Sequence, residues 1–178
     1  MTDHHTNDHM SRRARVSHSN LRHAPQAWCP SIRQEFSVQN QPVDPSLLPM
    51  YERLTTALDA FALGDPEPYK ALWAHTEDVS VLGAFGGHNL GWSEVGPRLD
   101  FAASQYRNGR YDDLEVLASG AGTDMAYIVW LETISATSAA GDAVTRQRRI
   151  THVLRRDGDD WLIVHQHGDP LVDLVPPS

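Results

Sequence analysis

The sequence has one cysteine, Cys29, in 178 residues, so it can build no intramolecular disulfide framework. It has no apolar run near the roughly 18 residues that span a bilayer. Its first residues lack the basic-then-apolar pattern of a secretion signal. These absences lead to the expectation of a cytoplasmic protein that does not enter a membrane. Three catalytic signatures are missing as well: G-x-S-x-G, H-E-x-x-H and C-x-x-C. The stretch "GAFGG" at 83–87 lacks the Lys-Ser/Thr ending and following helix of a phosphate loop. Positive charge is scarce. The formal net charge is −8, with five arginines against three carboxylates in residues 1–43 and ten basic against twenty acidic residues in the remainder. An acidic body argues against a nucleic-acid-binding domain.

Apolar residues make up 40% of the chain, enough for the core of one domain. Residues 1–43 are rich in His, Asn, Ser, Gln and Arg and show no apolar period. They read as a disordered tail. His4, His5 and His9 in it are metal candidates, with a solvated tail as the plainer reading. The domain proper is expected over 44–178.

From residue 47, Leu47, Leu48, Tyr51, Leu54, Leu58, Phe61 and Ala62 recur at three- and four-residue steps, an amphipathic helix with Gly64 as its stop. Asp65 and Pro66 open a second helix over "PEPYKALWAH". "DVSVLGAFGG" reads as a strand and turn. A third helix starts at Ser93 and ends at Asn108-Gly109, its first turn distorted by Gly96-Pro97. Four strands follow, with "SAAGD" and "RDGDD" as hairpin turns. The order predicts an α+β fold with helices on one face of a curved antiparallel sheet. In the strand "MAYIVWLETISAT", Tyr127, Val129 and Leu131 share one face; Ile128, Trp130 and Ile134, with Glu132 among them, share the other. Apolar residues on both faces require both to be covered. The helices cover one, and a homodimer through the sheet is the expected cover for the other.

The segments "LWAHTEDVSVLGAFGGHNLGWSEV" and "RRITHVLRRDGDDWLIVHQHGD", with the helical hairpin before them, resemble the nuclear transport factor 2-like superfamily. The resemblance covers about residues 46–172 and is strongest to its SnoaL-like and ketosteroid isomerase-like branch. It implies a cone-shaped, curved mixed or antiparallel sheet wrapped around three N-terminal helices, a cystatin-like arrangement. It also implies a cavity for a small, largely apolar molecule. Members of the superfamily are isomerases, cyclases, dehydratases, epoxide hydrolases or non-catalytic binding and assembly domains, so fold does not choose the function.

Strand parity places Trp161, Ile163, His165 and His167 on one face of the last strand. If that face lines the cavity, two imidazoles reach it, each suited to acid–base work near neutral pH. Asp169 would orient one of them. The alternative is that the pair is a scaffold feature bonded to neighbouring strands. A zinc site would need ligands beyond this pair, with His152 and Glu132 the available additions, and no metal is expected. Arg149 and Thr151 would hold an anionic oxygen of the substrate, or the arginines pair across strands with Glu132 and Asp124. Glu132 and Asp78 are candidate assisting bases. Trp73, Phe85, Trp92 and Tyr51 would wall the pocket. The expectation is a cofactor-free isomerase, cyclase or dehydratase acting on a small apolar or aromatic carbonyl metabolite, with a non-catalytic ligand-binding or dimerisation domain as the alternative.

Overall fold

A computed structural model of the chain describes residues 42–173; the expected tail over 1–43 lies outside these but for its last two residues. Asp44 accepts a hydrogen bond from the Ser46 amide at 2.9 Å and opens a 3-10 turn, Pro45–Leu47. Helix α1, Leu48–Ala62, follows directly. Its buried residues are Met50, Leu54, Ala57, Leu58, Phe61 and Ala62. The buried stripe thus lies slightly round from the expected one: Met50 points inward, while Leu48 is exposed. Gly64, at φ 93°, ends the helix as expected, a backbone conformation that glycine adopts without strain.

The second helix is shorter than its pattern suggested. Helix α2 is Glu67–Lys70, with the Asp65 side chain accepting from the Glu67 amide at 3.1 Å. The chain then straightens. Leu72 and Ala74 bond to Ile163 through their backbones, and this strap buries Trp73. Two short strands come next, β1 (Ser80–Leu82) and β2 (Asn89–Leu90). Helix α3, Trp92–Ser104, has Gly91 rather than Ser93 at its N-cap and continues through Pro97. It stops before Tyr106. Asn108-Gly109 therefore marks an irregularity inside strand β3, Tyr106–Ala121, and not the end of a helix.

Strands β4 (Met125–Ser138), β5 (Ala143–Asp157) and β6 (Asp160–Pro170) complete a meander. The six-stranded sheet has the order β2-β1-β6-β5-β4-β3. Every neighbouring pair is antiparallel except β1 with β6, which run parallel. The fold is α+β with a mixed sheet. The core lies between the helices and one sheet face, where Ile128, Trp130, Ile134, Ile150, Leu154 and Ile163 are all nearly inaccessible. Each such side chain contributes about 1.5–3 kcal/mol by leaving water.

One detail of β6 decides what faces the core. Next to the turn, Leu154 pairs with Ile163; beyond it, Val153 pairs with His165. Val164 is the extra residue of a β-bulge. A one-residue bulge turns every later side chain to the opposite face. Trp161 and Ile163 point into the core, but after Val164 it is Gln166 and Gly168 that continue inward. His165 and His167 go to the outer face.

Candidate functional site

The helix-facing side of the sheet closes over a cavity of about 50 Å3. Its apolar wall includes Leu58 and Phe61 from α1, Val81 and Phe85 from β1 and the loop after it, Leu99 from α3, and Ile150 from β5. Seven polar side chains line it too: Tyr69, Arg98, Tyr111, Glu132, Arg148, His152 and Gln166. They come from α2, α3, β3, β4, β5 and β6, so only the folded chain assembles them.

Two linked groups organise this polar set. In the first, the Tyr69 hydroxyl donates to Gln166 Oε1 at 2.7 Å. With that proton committed, His152 Nε2–H donates to the Tyr69 oxygen at 2.6 Å. The proton of His152 is then on Nε2, and Nδ1 is left as a buried acceptor with no partner. Burial, and secondarily the charge of His165, push the His152 pKa from 6.5 down to about 3, so the ring is neutral at physiological pH. Burial likewise pushes the Tyr69 phenol far up, which keeps it protonated.

In the second group, Arg148 Nη2 meets Glu132 Oε1 at 2.6 Å. Trp130 Nε1 donates to Glu132 Oε2 at 3.2 Å, and Arg148 Nη1 donates to the Tyr106 hydroxyl at 3.1 Å. Burial pushes the Glu132 carboxyl up, and the guanidinium beside it only partly offsets this. Arg148 Nε is a second buried nitrogen without a partner. Leaving such a group unmatched costs about 1–3 kcal/mol. Among the described residues the Tyr111 hydroxyl has no hydrogen-bond partner, and burial holds it well above its usual pKa.

Of the residues expected from sequence, Glu132 and Phe85 line the cavity. Glu132 does so against Arg148, because the register pairs it with Arg148 and places Arg149 opposite Leu131. His165, His167, Asp169, Arg149 and Thr151 do come together, but on the outer face: Val153 is opposite His165, Thr151 opposite His167, and Arg149 opposite Asp169. There the Ser80 hydroxyl bonds His165 Nδ1 at 2.8 Å, and Arg149 Nε donates to Asp169 at 3.1 Å. The bulge at Val164 is the cause for the histidines. Arg149 and Thr151 sit on the strand parity opposite to Arg148 and His152. Asp78 is exposed on the surface, its carboxyl held down at about 2 by Arg155 and Thr76. Tyr51 packs edge-on to Trp130 at 6.2 Å outside the cavity lining. Trp73 is core. Trp92 stacks on His75 at 3.7 Å in a separate surface groove. No cluster of three metal-ligating side chains exists among the described residues, and no helix there is long and apolar enough to cross a membrane.

Comparison with known proteins agrees with this architecture. Residues 52–173 match the family model described as SnoaL-like domain. No curated protein matches the chain. Among solved structures, the fold is similar to a nuclear transport factor 2-like superfamily protein from Salmonella enterica serovar Typhimurium. There the TM-score is 0.58 at 19% identity, over 69% of this chain and 87% of the other. It is similar to a ketosteroid isomerase-like protein from Erwinia carotovora atroseptica, with a TM-score of 0.58 at 16% identity, over 73% of this chain and 100% of that one. It is also similar to a protein with a cystatin-like fold from Caulobacter vibrioides, with a TM-score of 0.53 at 15% identity, over 68% and 87%. At these identities the likeness is one of fold.

Proposed function

The chain belongs to the SnoaL-like domain family, and from that premise we propose that its inner cavity binds a small carbonyl compound and performs cofactor-free acid–base chemistry on it. The step is proton abstraction beside the carbonyl, leading to isomerisation, cyclisation or dehydration. The observation that carries this reading is the convergence of Tyr69, Tyr111, Glu132, Arg148 and His152 on one cavity with apolar walls. Titratable groups gathered in such a place are a hallmark of reactive sites.

Each group has a role in this reading. Glu132 is the base: its carboxyl is pushed up by burial, which moves it toward the range where a general base works best. The Tyr111 hydroxyl has no partner of its own and donates to the oxygen on which negative charge develops. Neutral His152, through Nδ1, and the Tyr69 oxygen offer acceptors to a donor group on the far side of the ligand. Arg148 fixes Glu132 and balances its charge. On the outer face, Tyr127, Val129, Leu131 and Val153, with His165 and His167, form the surface through which two copies pair.

A deuterium-exchange measurement tests the chemistry without knowledge of the natural substrate. In D2O, the protein is expected to exchange the α-protons of small ketones followed by NMR, while Glu132→Gln binds them and exchanges none. A second reading, a non-catalytic binding module, is favoured by one observation: Glu132 is locked onto Arg148 in a cavity of about 50 Å3, well below the roughly 300–1,000 Å3 of ordinary ligand sites. Binding without exchange in both proteins would select that reading.

A further inference from the structure

We propose that the cavity's ligand is a small carboxylate, its charged end held among Arg98, Arg146 and Arg148 under the loop that carries Phe85. This inference rests on the pocket reading above and adds the chemical class of the molecule.

The chain is acidic, with a formal net charge of −8, yet the edge of its cavity is cationic. Arg98 and Arg148 line the cavity, and the single acid there, Glu132, is matched to Arg148. Beside it is a second hollow of about 240 Å3, lined by Arg146 and Arg148, which shares Ala84, Phe85 and Arg148 with the first. The three guanidinium groups surround one aromatic cluster. Arg146 stands over the Phe85 ring at 4.9 Å and over Tyr106 at 5.8 Å. Arg148 stands over Tyr106 at 5.8 Å. Arg98 lies over Phe101 at 5.0 Å, and the Phe101 ring meets Phe85 at 5.8 Å.

These arginines are short of partners. Arg53, Arg110, Arg149 and Arg155 each have a carboxylate of their own. Among the described residues Arg98 and Arg146 have none. Arg98 donates only to the backbone oxygen of Gly86, at 2.7 Å. Arg107 and Arg156 also lack a carboxylate but line neither hollow. Arg148 is over nine-tenths buried, and its Nε has no acceptor. An aromatic face stabilises a guanidinium but leaves its in-plane N–H fork free. A carboxylate is the group whose geometry fills that fork.

Phe85, with Ala84 and Arg148, lines both hollows. It sits on a loop whose Gly83, Gly86 and Gly87 have open space around their α-carbons. Displacing its ring joins the small apolar cavity to the arginine-lined hollow. The joined space suits a molecule with a short apolar body toward Leu58 and Ile150 and an anionic end toward Arg98 and Arg146.

The experiment uses three matched pairs of probes: 2-oxobutanoate and 2-oxobutanamide, benzoate and benzamide, phenylacetate and phenylacetamide. Affinities for the full chain are measured by ligand-observed NMR. The carboxylate of a pair is expected to bind about tenfold more tightly than its amide, and Arg98→Met with Arg146→Met to remove that preference while leaving amide binding and the melting temperature in place. Arg146→Lys, which keeps the charge but loses the fork, should keep only part of the preference. Arg148 is left intact because its removal would strand Glu132. If carboxylates and amides bind alike and the arginine variants change nothing, the anion assignment is wrong while the pocket stands. If none of the six probes binds, the pocket reading and this inference fall together.

Discussion

At the scale of single residues, His152 sets how the fold responds to acid. Burial holds its folded-state pKa at about 3, against 6.5 for an imidazole in water. Between those values the unfolded chain binds a proton that the folded chain refuses. Stability is therefore complete above pH 6.5 and falls as pH drops toward 3, by up to about 1.4 kcal/mol per pH unit from this residue. Glu132 acts in the opposite sense, since a carboxyl pushed up by burial takes its proton in the folded state first. Urea denaturation from roughly pH 8 to 5 isolates the histidine at the upper end of that range. The unfolding free energy of the wild type should decline with falling pH, and that of His152→Gln should be flatter. Equal slopes in the two proteins would show that His152 is protonated in the folded state as readily as in the unfolded one.

At the scale of elements, the glycine with least room for a side chain is the one where α1 ends against β3. A Cβ on Gly109 would stand 2.4 Å from the Ala62 carbonyl oxygen and 3.0 Å from the Ala136 Cβ, while Asn108 beside it has φ 51°. The obstacle is backbone, which cannot turn aside. Gly109→Ala is expected to cost roughly 1–3 kcal/mol or more in urea or thermal unfolding. Gly120→Ala, whose Cβ would meet only the exposed Tyr127 ring at 3.1 Å, should cost far less; similar losses would contradict this account. The same segment shows how far the sequence could be read. Asn-Gly announces an irregular backbone correctly, but cannot say whether it ends a helix or bends a strand. The "SAAGD" turn implies the register that pairs Glu132 with Arg148, so that ion pair was within reach of a strict count along the hairpin. The "RDGDD" turn pairs Asp157 with Asp160, and counting onward from it puts His165 and His167 on the inner face. Only the bulge at Val164 reverses this. The run "WLIV" is apolar on both sides of the strand, so no change of pattern betrays the bulge. Tyr69, His152 and Gln166 were obscured for another reason: they act as one group through contacts between distant segments.

At the scale of the molecule, the proposed dimer depends on the outer sheet face. Val129 is half-buried there, flanked by Ala118 and Thr151. If two copies pair through this face, the 19.8 kDa chain should sediment at twice its mass. Val129→Glu should then sediment as a monomer with its helical circular dichroism retained. A monomeric wild type at micromolar concentration would remove the dimer. The parallel pairing of β1 with β6 has a separate consequence for how the chain reaches its native state. The meander from β3 to β6 joins segments adjacent in sequence. By contrast, the Tyr69–His152 contact spans 83 positions and the Ser80–His165 contact 85. Contacts of such separation are slow to form, and a chain leaving the ribosome offers its N-terminal helices long before β6 exists. The hairpins are therefore early structure and the pocket is late structure. Translation that stops short of β6 would leave a nascent chain with most of its sheet and no interior for a ligand to enter.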